Sequence, residues 1–126
     1  SDNRIKHNET EIVNGLEVCK KIRPLKYVKT GLYDSSNNLY GSDHNFEDTS
    51  NLPPLAVWET GFLAQELKAI EDTSHIVSGE EYDISGNPSS LGVDYRQITP
   101  FLISAIKELS SKVDSLTQEI EYLKSR

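Results

Sequence analysis

Positive charge is scarce in this chain. Thirteen Lys and Arg stand against twenty Asp and Glu, for a net charge of −7. A nucleic-acid partner would demand a basic stripe or patch. The densest cationic cluster is Lys20-Lys21-Ile22-Arg23, which suits the last turn of a helix, where cations meet the negative end of the dipole. Long hydrophobic runs are missing as well. None approaches the roughly 18 residues of a membrane-spanning helix, and no secretory-signal pattern is seen. Neither nucleic acid nor membrane is expected as a partner. Cysteine occurs once, at Cys19, which excludes an internal disulfide. Its place on an apolar stripe predicts a buried core thiol rather than a reactive one. Methionine is absent even at position 1, which fits either an artificial start or release from a larger precursor. With 36% hydrophobic residues, the core is expected to be small and helped by oligomerisation.

The patterning predicts an α+β fold. Ile12, Leu16, Cys19 and Ile22 recur at spacings of four, three and three, one face of an amphipathic helix. Thr10 is a fitting N-cap, and Pro24 forces the chain out of helix. Leu25 to Leu32 reads as a strand. Tyr33 to Pro54 is rich in Ser, Asn and Asp, holds Gly41, and is without Lys or Arg. It reads as a long surface loop, with a short hairpin near Leu39-Tyr40-Gly41. Leu55 to Glu59 restores an apolar strand, which Gly61 is expected to break. Phe62 to Ile70 reads as a short helix with Leu63, Leu67 and Ile70 on one side, and His75-Ile76-Val77 as a short strand. Residues 78–92 are turn-rich. The predicted organisation is one structural domain: an α+β body over 1–94, with the loop at 33–54, and a C-terminal coiled-coil helix over 95–126.

That last segment has the clearest pattern. Leu102, Ile106, Leu109, Val113, Leu116, Ile120 and Leu123 alternate spacings of four and three. Ile106, Val113 and Ile120 take heptad position a, and the four leucines take d. So narrow a seam cannot be buried by one helix, so self-association is expected. β-branched residues at a with Leu at d favour parallel dimers. The small or apolar flanks at e and g, Ile103, Ala105, Ser110 and Thr117, suit a trimer. The heptads alone do not separate the two.

Four stretches together resemble one family. Ser1-Asp2-Asn3-Arg4-Ile5-Lys6 followed by Asn8 resembles the opening signature of the endosialidase-type C-terminal intramolecular chaperone, an autoprocessing serine peptidase domain. Ile22-Arg23-Pro24-Leu25-Lys26-Tyr27 is similar to its junction of arginine, proline and aromatic strand. Gly61-Phe62-Leu63-Ala64-Gln65-Glu66-Leu67 resembles its central motif. Val93-Asp94-Tyr95, leading into Leu102 to Leu109, resembles its exit into a long helix. His7 and Glu9 depart from the usual neighbours of Asn8, and the loop at 33–54 is an insertion peculiar to this chain. The resemblance implies the end of a phage tailspike, tail fibre or neck appendage. Such a domain forms a homotrimer, aligns three copies of an upstream β-rich stalk of the same polypeptide during virion assembly in the host cytoplasm, then cuts itself off and does not remain in the mature fibre. Two other readings stay open: a trimerisation cap that never cuts, and the processing domain of a membrane-tethered transcription factor.

The resemblance assigns a Ser-Lys dyad, with Ser1 as nucleophile and Lys6 as base, acting once per chain. A serine hydroxyl is a weak nucleophile without an adjacent base. Lysine serves as a base only when neutral, so burial or a nearby cation must depress its pKa. Arg4 is one candidate cation. Residues five apart face opposite sides of a strand and sit about 140° apart on a helix. Ser1 and Lys6 therefore meet only across a bend or a subunit boundary; otherwise Lys6 is a solvated surface residue. Asp2 or Glu66 fits a supporting role, orienting Lys6 or holding Arg4 in a bidentate pair, Gln65 fits as a donor to an oxyanion, and Asn8 of the opening signature is a further candidate for a supporting role. His7, His44 and His75 lack metal-ligand spacing, and Asp43-His44 with Glu47-Asp48 reads as loop composition. No metal or cofactor is expected. A small ligand such as a nucleotide at a subunit interface is left open.

Overall fold

The computed structural model describes residues 2–30, 45–54 and 56–126. The fold is α+β, with short strands and a long C-terminal helix. Its described residues fall into two compact units, 2–21 with Tyr95–Arg126, and Ile22–Asp94. The expected hairpin at Leu39-Tyr40-Gly41, the first part of the loop at 33–54, and the strand end at Gly31-Leu32 lie outside the described residues.

The first unit is a helix pair, α1 (Gly15–Lys21) against α3 (Thr99–Ser125). Pro100 opens α3, where its missing N–H costs no helical bond. A short 3-10 turn over Tyr95–Ile98 leads into it. Val18, Ile98, Phe101 and Ala105 are buried. Gly15 is the point of closest approach. A Cβ there would stand 2.5 Å from Ser104 Cβ and 2.6 Å from the Ala105 nitrogen, so only glycine lets the backbones meet at this point.

The helix expected to begin after Thr10 begins instead at Gly15. Its first backbone bond runs from the Val18 N–H to the Asn14 carbonyl, at 3.1 Å. Asn14 therefore takes the place of the predicted cap, as a residue type that favours that position. Ile12 falls before the helix and is partly exposed. The inward face is Gly15 and Val18, with Cys19 only half-buried. Burial raises the Cys19 thiol pKa, and the nearby Glu108 carboxylate adds to the rise.

In the second unit β1 (Leu25–Lys29) pairs antiparallel with β2 (Val57–Gly61), from Leu25 opposite Gly61 to Lys29 opposite Val57. Gly61 thus closes the ladder rather than breaking it. β2 leads into α2 (Ala64–Ala69), and a 3-10 helix follows over Glu71–Ile76. The strand expected at His75 starts only at Val77, because the chain is still helical up to Ile76. β3 (Val77–Ser78) pairs with β4 (Gly92–Val93). Leu67, Thr73 and Ile76 form the small core. The buried Thr73 hydroxyl donates to the Leu67 carbonyl at 2.7 Å, so its polarity is satisfied in place.

Candidate functional site

The N-terminal stretch folds on itself. Asp2 caps a 3-10 turn over Asn3–Ile5. Its Oδ1 accepts the Arg4 backbone N–H at 2.9 Å. Its carboxylate also takes the Arg4 guanidinium, through Nε at 3.1 Å and Nη2 at 2.6 Å. The Arg4 hydrogen bonds hold the Asp2 carboxyl below its usual range, and the same bonds raise Arg4. Asp2 therefore does hold Arg4 in a fork. The Arg4 guanidinium is thus committed to Asp2.

Lys6 leaves the turn in extended conformation, and its N–H donates to the Asn3 carbonyl at 3.2 Å. The 3-10 turn over Asn3–Ile5 thus bends the chain between Asp2 and Lys6. Ser1 lies outside the described residues, and the side of Lys6 is exposed. Two residues further on, Asn8 takes φ of 54°, a left-handed conformation uncommon outside glycine. The chain then runs beside α3, where Thr10, Val13, Ile103 and Lys107 line a groove of about 930 Å³.

Gln65 and Glu66 have partners in their own unit. The Glu66 carboxylate receives Arg23, Nε at 3.2 Å and Nη2 at 2.6 Å. Gln65 donates to Glu81 at 3.3 Å. The Arg23 pair keeps Glu66 below the usual carboxylate range. The sequence points Glu66 toward Arg4 or Lys6 and names no partner for Arg23, which it places in the last turn of a helix and in the arginine-proline junction. Arg23 stands in the arginine-proline junction and Glu66 in the central motif, and the fork ties the two together. Beside it on the sheet, Tyr27 donates to Glu59 at 2.7 Å, and Lys26 sits 4.9 Å from the Trp58 ring centroid. Among the described residues no group of three His, Cys, Asp or Glu is placed to hold a metal ion, and no helix is long and apolar enough to cross a membrane.

The long helix presents two different faces. Phe101, Ser104, Ala105 and the half-buried Glu108 look onto α1. Ser104 Oγ accepts the Gly15 N–H at 3.0 Å and Glu108 Oε1 accepts the Leu16 N–H at 3.1 Å. These are amides of the first turn, which a helix cannot satisfy itself. The heptad residues lie elsewhere on the helix. Leu102, Ile106, Leu109, Val113, Leu116, Ile120 and Leu123 are 47–62% exposed. Ala105, one of the seam's apolar flanks, is already buried. Thr117 turns its hydroxyl back to the Val113 carbonyl, at 2.8 Å.

A family model matches residues 1–76, and its description is chaperone of endosialidase, under a peptidase family name. The chain belongs to that family. The match spans the opening turn, the arginine-proline junction and the central motif, and it ends at Ile76. The long helix lies beyond it. No curated protein matches the chain.

Proposed function

We propose that this chaperone domain trimerises through the seam of α3, aligns three copies of an upstream β-rich stalk, and then releases itself by one self-cleavage before Ser1. The unfilled seam carries the reading. Seven apolar side chains stand half-exposed in an unbroken heptad register, on a helix whose other contact face is already occupied by α1. Burying them against partner helices removes apolar area from water. Assembly holds three stalk ends together at an effective concentration on the order of millimolar and sets their register, which in β-structure decides which face every side chain occupies. The setting is the host cytoplasm during virion assembly, and the released fragment is not retained in the fibre.

The cleavage chemistry belongs to Ser1 and Lys6. Neutral Lys6 Nζ takes the proton of the Ser1 hydroxyl, and Ser1 Oγ bonds to the carbonyl carbon of the preceding residue. The bond from that carbon to the Ser1 nitrogen breaks, and the nitrogen leaves as an amine with the proton. Water then hydrolyses the ester, freeing the Ser1 hydroxyl and an upstream carboxylate. The capped bend over Asn3–Ile5 supports the reading, because an extended or helical path would keep the two side chains apart. Lys6 is exposed on the single chain, so the burial that favours its neutral form comes from assembly.

The test is a precursor carrying its native upstream residues. Ser1→Ala should abolish the cut and Lys6→Ala should slow it greatly, with assembly retained in both. Efficient cutting by the Ser1→Ala precursor removes the nucleophile. Assembly without any cutting by the unaltered precursor leaves a purely structural cap, the reading that the exposure of Lys6 favours.

A further inference from the structure

We propose that Asn14 is a site of spontaneous modification: its side-chain amide converts to aspartate and isoaspartate, at a rate set by how often α1 opens from α3. Asparagine side chains are chemically labile, and the residue that follows decides how labile. The backbone nitrogen of that residue is the attacking group, and a glycine there has no Cβ to obstruct the approach. Among the asparagines of this chain only Asn14 precedes a glycine. The two residues lie where the helices meet. Gly15 is buried and donates its N–H to Ser104 Oγ at 3.0 Å. The next N–H, that of Leu16, goes to Glu108 Oε1 at 3.1 Å. Asn14 is half-buried, and its carbonyl accepts the first helical bond, from the Val18 N–H.

The reaction consumes water and needs no other partner. The Gly15 nitrogen gives its proton to solvent hydroxide and bonds to Asn14 Cγ. The bond from Cγ to Nδ2 breaks, and Nδ2 takes a proton from water and leaves as ammonia. Water then opens the cyclic imide at either carbonyl. Opening at Cγ gives aspartate with the backbone unchanged. Opening at the main-chain carbon gives isoaspartate, with the chain now running through the former side chain. In the docked pair this chemistry is held back. The Gly15 proton sits in a buried hydrogen bond, out of reach of hydroxide, and the backbone there is packed against Ser104 and Ala105. Conversion therefore waits for a local opening, which proteins undergo short of global unfolding. The two products then part ways. Aspartate caps as well as asparagine, and its charge suits a helix start, so the pair closes again. Isoaspartate carries the old carbonyl off the chain as a carboxylate, away from the Val18 N–H, and puts Gly15 out of register with Ser104. The helices then stay apart.

The experiment incubates the full chain in mildly alkaline buffer, natively and in urea above the unfolding midpoint. Conversion is read on the tryptic peptide His7–Lys20 by the mass change of NH2 to OH. Fragment ions separate Asn14 from Asn8, and an isoaspartyl methyltransferase reports the isoaspartate share. Asn14 should convert at least about tenfold more slowly in the native chain than in urea, the factor that about 1.4 kcal/mol of opening cost corresponds to. Ser104→Ala, which removes the acceptor, should speed the native conversion about tenfold and leave the rate in urea unchanged. Thr73→Ala, which loses a buried hydroxyl in the other unit, should change neither rate. A native parent that converts as fast as in urea overturns the proposal, as does a Ser104→Ala chain with the parent's native rate. A Thr73→Ala chain that accelerates as much as Ser104→Ala overturns the local opening and hands control to global unfolding. If Ser104→Ala fails to fold, hydrogen exchange of the Gly15 amide in the parent decides. Folding should slow that exchange and the Asn14 conversion by factors that agree within about threefold, since both wait on one opening. A conversion slowed about tenfold less than the exchange overturns the gate.

Discussion

Ser104 holds the first amide of α1: its Oγ accepts the Gly15 N–H at 3.0 Å, across 89 positions of sequence. The bond is buried, and it lies where Gly15 lets the two helix backbones touch. Seven-residue helices have little stability of their own, so α1 depends on this borrowed cap and on the contact around it.

Gly15→Ala should therefore loosen the helix pair. The new Cβ would stand 2.5 Å from Ser104 Cβ and 2.6 Å from the Ala105 nitrogen, and overpacking of that kind costs about 1–3 kcal/mol. Ser104→Ala should cost about 1–3 kcal/mol by leaving a buried N–H unpaired. The two losses should be less than additive, since a displaced α1 no longer needs the cap. Urea unfolding of the single and double variants measures this. A Gly15→Ala chain with an unchanged midpoint would mean that the helices do not meet there.

How much of this could be read from the residues follows from what each signal depends on. The heptad seam was legible because spacing alone defines it, and α3 runs through all seven positions. The class of fold and the family were legible from local motifs. The start of α1 was not, because it is decided by Ser104 and Glu108, far along the chain, and by a glycine whose value appears only when another backbone lies against it. The Arg23–Glu66 fork was hidden for a like reason. Each residue reads alone as a solvated charge, and pairing them needs the placement of Arg23 opposite α2. Cys19 has the periodicity of a core residue, but with the helix rotated onto Gly15 and Val18 it comes to rest at the rim.

Acid should weaken the second unit, in a direction set by its carboxylates. The Tyr27 hydroxyl, then Lys29, lowers Glu59, and the Arg23 guanidinium lowers Glu66. A carboxyl whose folded pKa is depressed contributes stability that is present above its unfolded value, roughly 4.3 for glutamate, and lost as pH falls through the folded one. Both groups are solvent-facing, so salt should shrink the effect. The urea midpoint should stay flat from pH 7 to about 5 and fall below about 4. Glu66→Gln should flatten that fall. An acid limb identical to the parent's in Glu66→Gln would remove the fork from the account.

Self-association should go through the seam and leave the helix pair alone. Over its 27 residues α3 is about 40 Å long, and the seven seam side chains punctuate all but its first turn. Burying the exposed half of each gains about 1 kcal/mol, repeated on every chain of the assembly. Val113→Lys removes one central layer of that burial and puts an ammonium into it from each chain. Burying a charge without a partner is far costlier than losing a methyl contact. Association should weaken at least a hundredfold. Phe101, Ser104 and Ala105 face α1 from another side of the helix, so the far-ultraviolet dichroism of the docked pair should survive at concentrations where the variant is monomeric. Gln118→Lys, at heptad position f, makes the same charge change off the seam and should associate as the parent does. Sedimentation equilibrium on the three chains gives the answer. The parent is expected to be a trimer. A parent dimer would mean that β-branched residues at a with leucine at d prevail over the flanks, a result made easier to accept by Ala105 being already committed to α1. A parent that stays monomeric at every concentration, or a Val113→Lys chain that assembles as well as Gln118→Lys, would leave the seam without the role given to it.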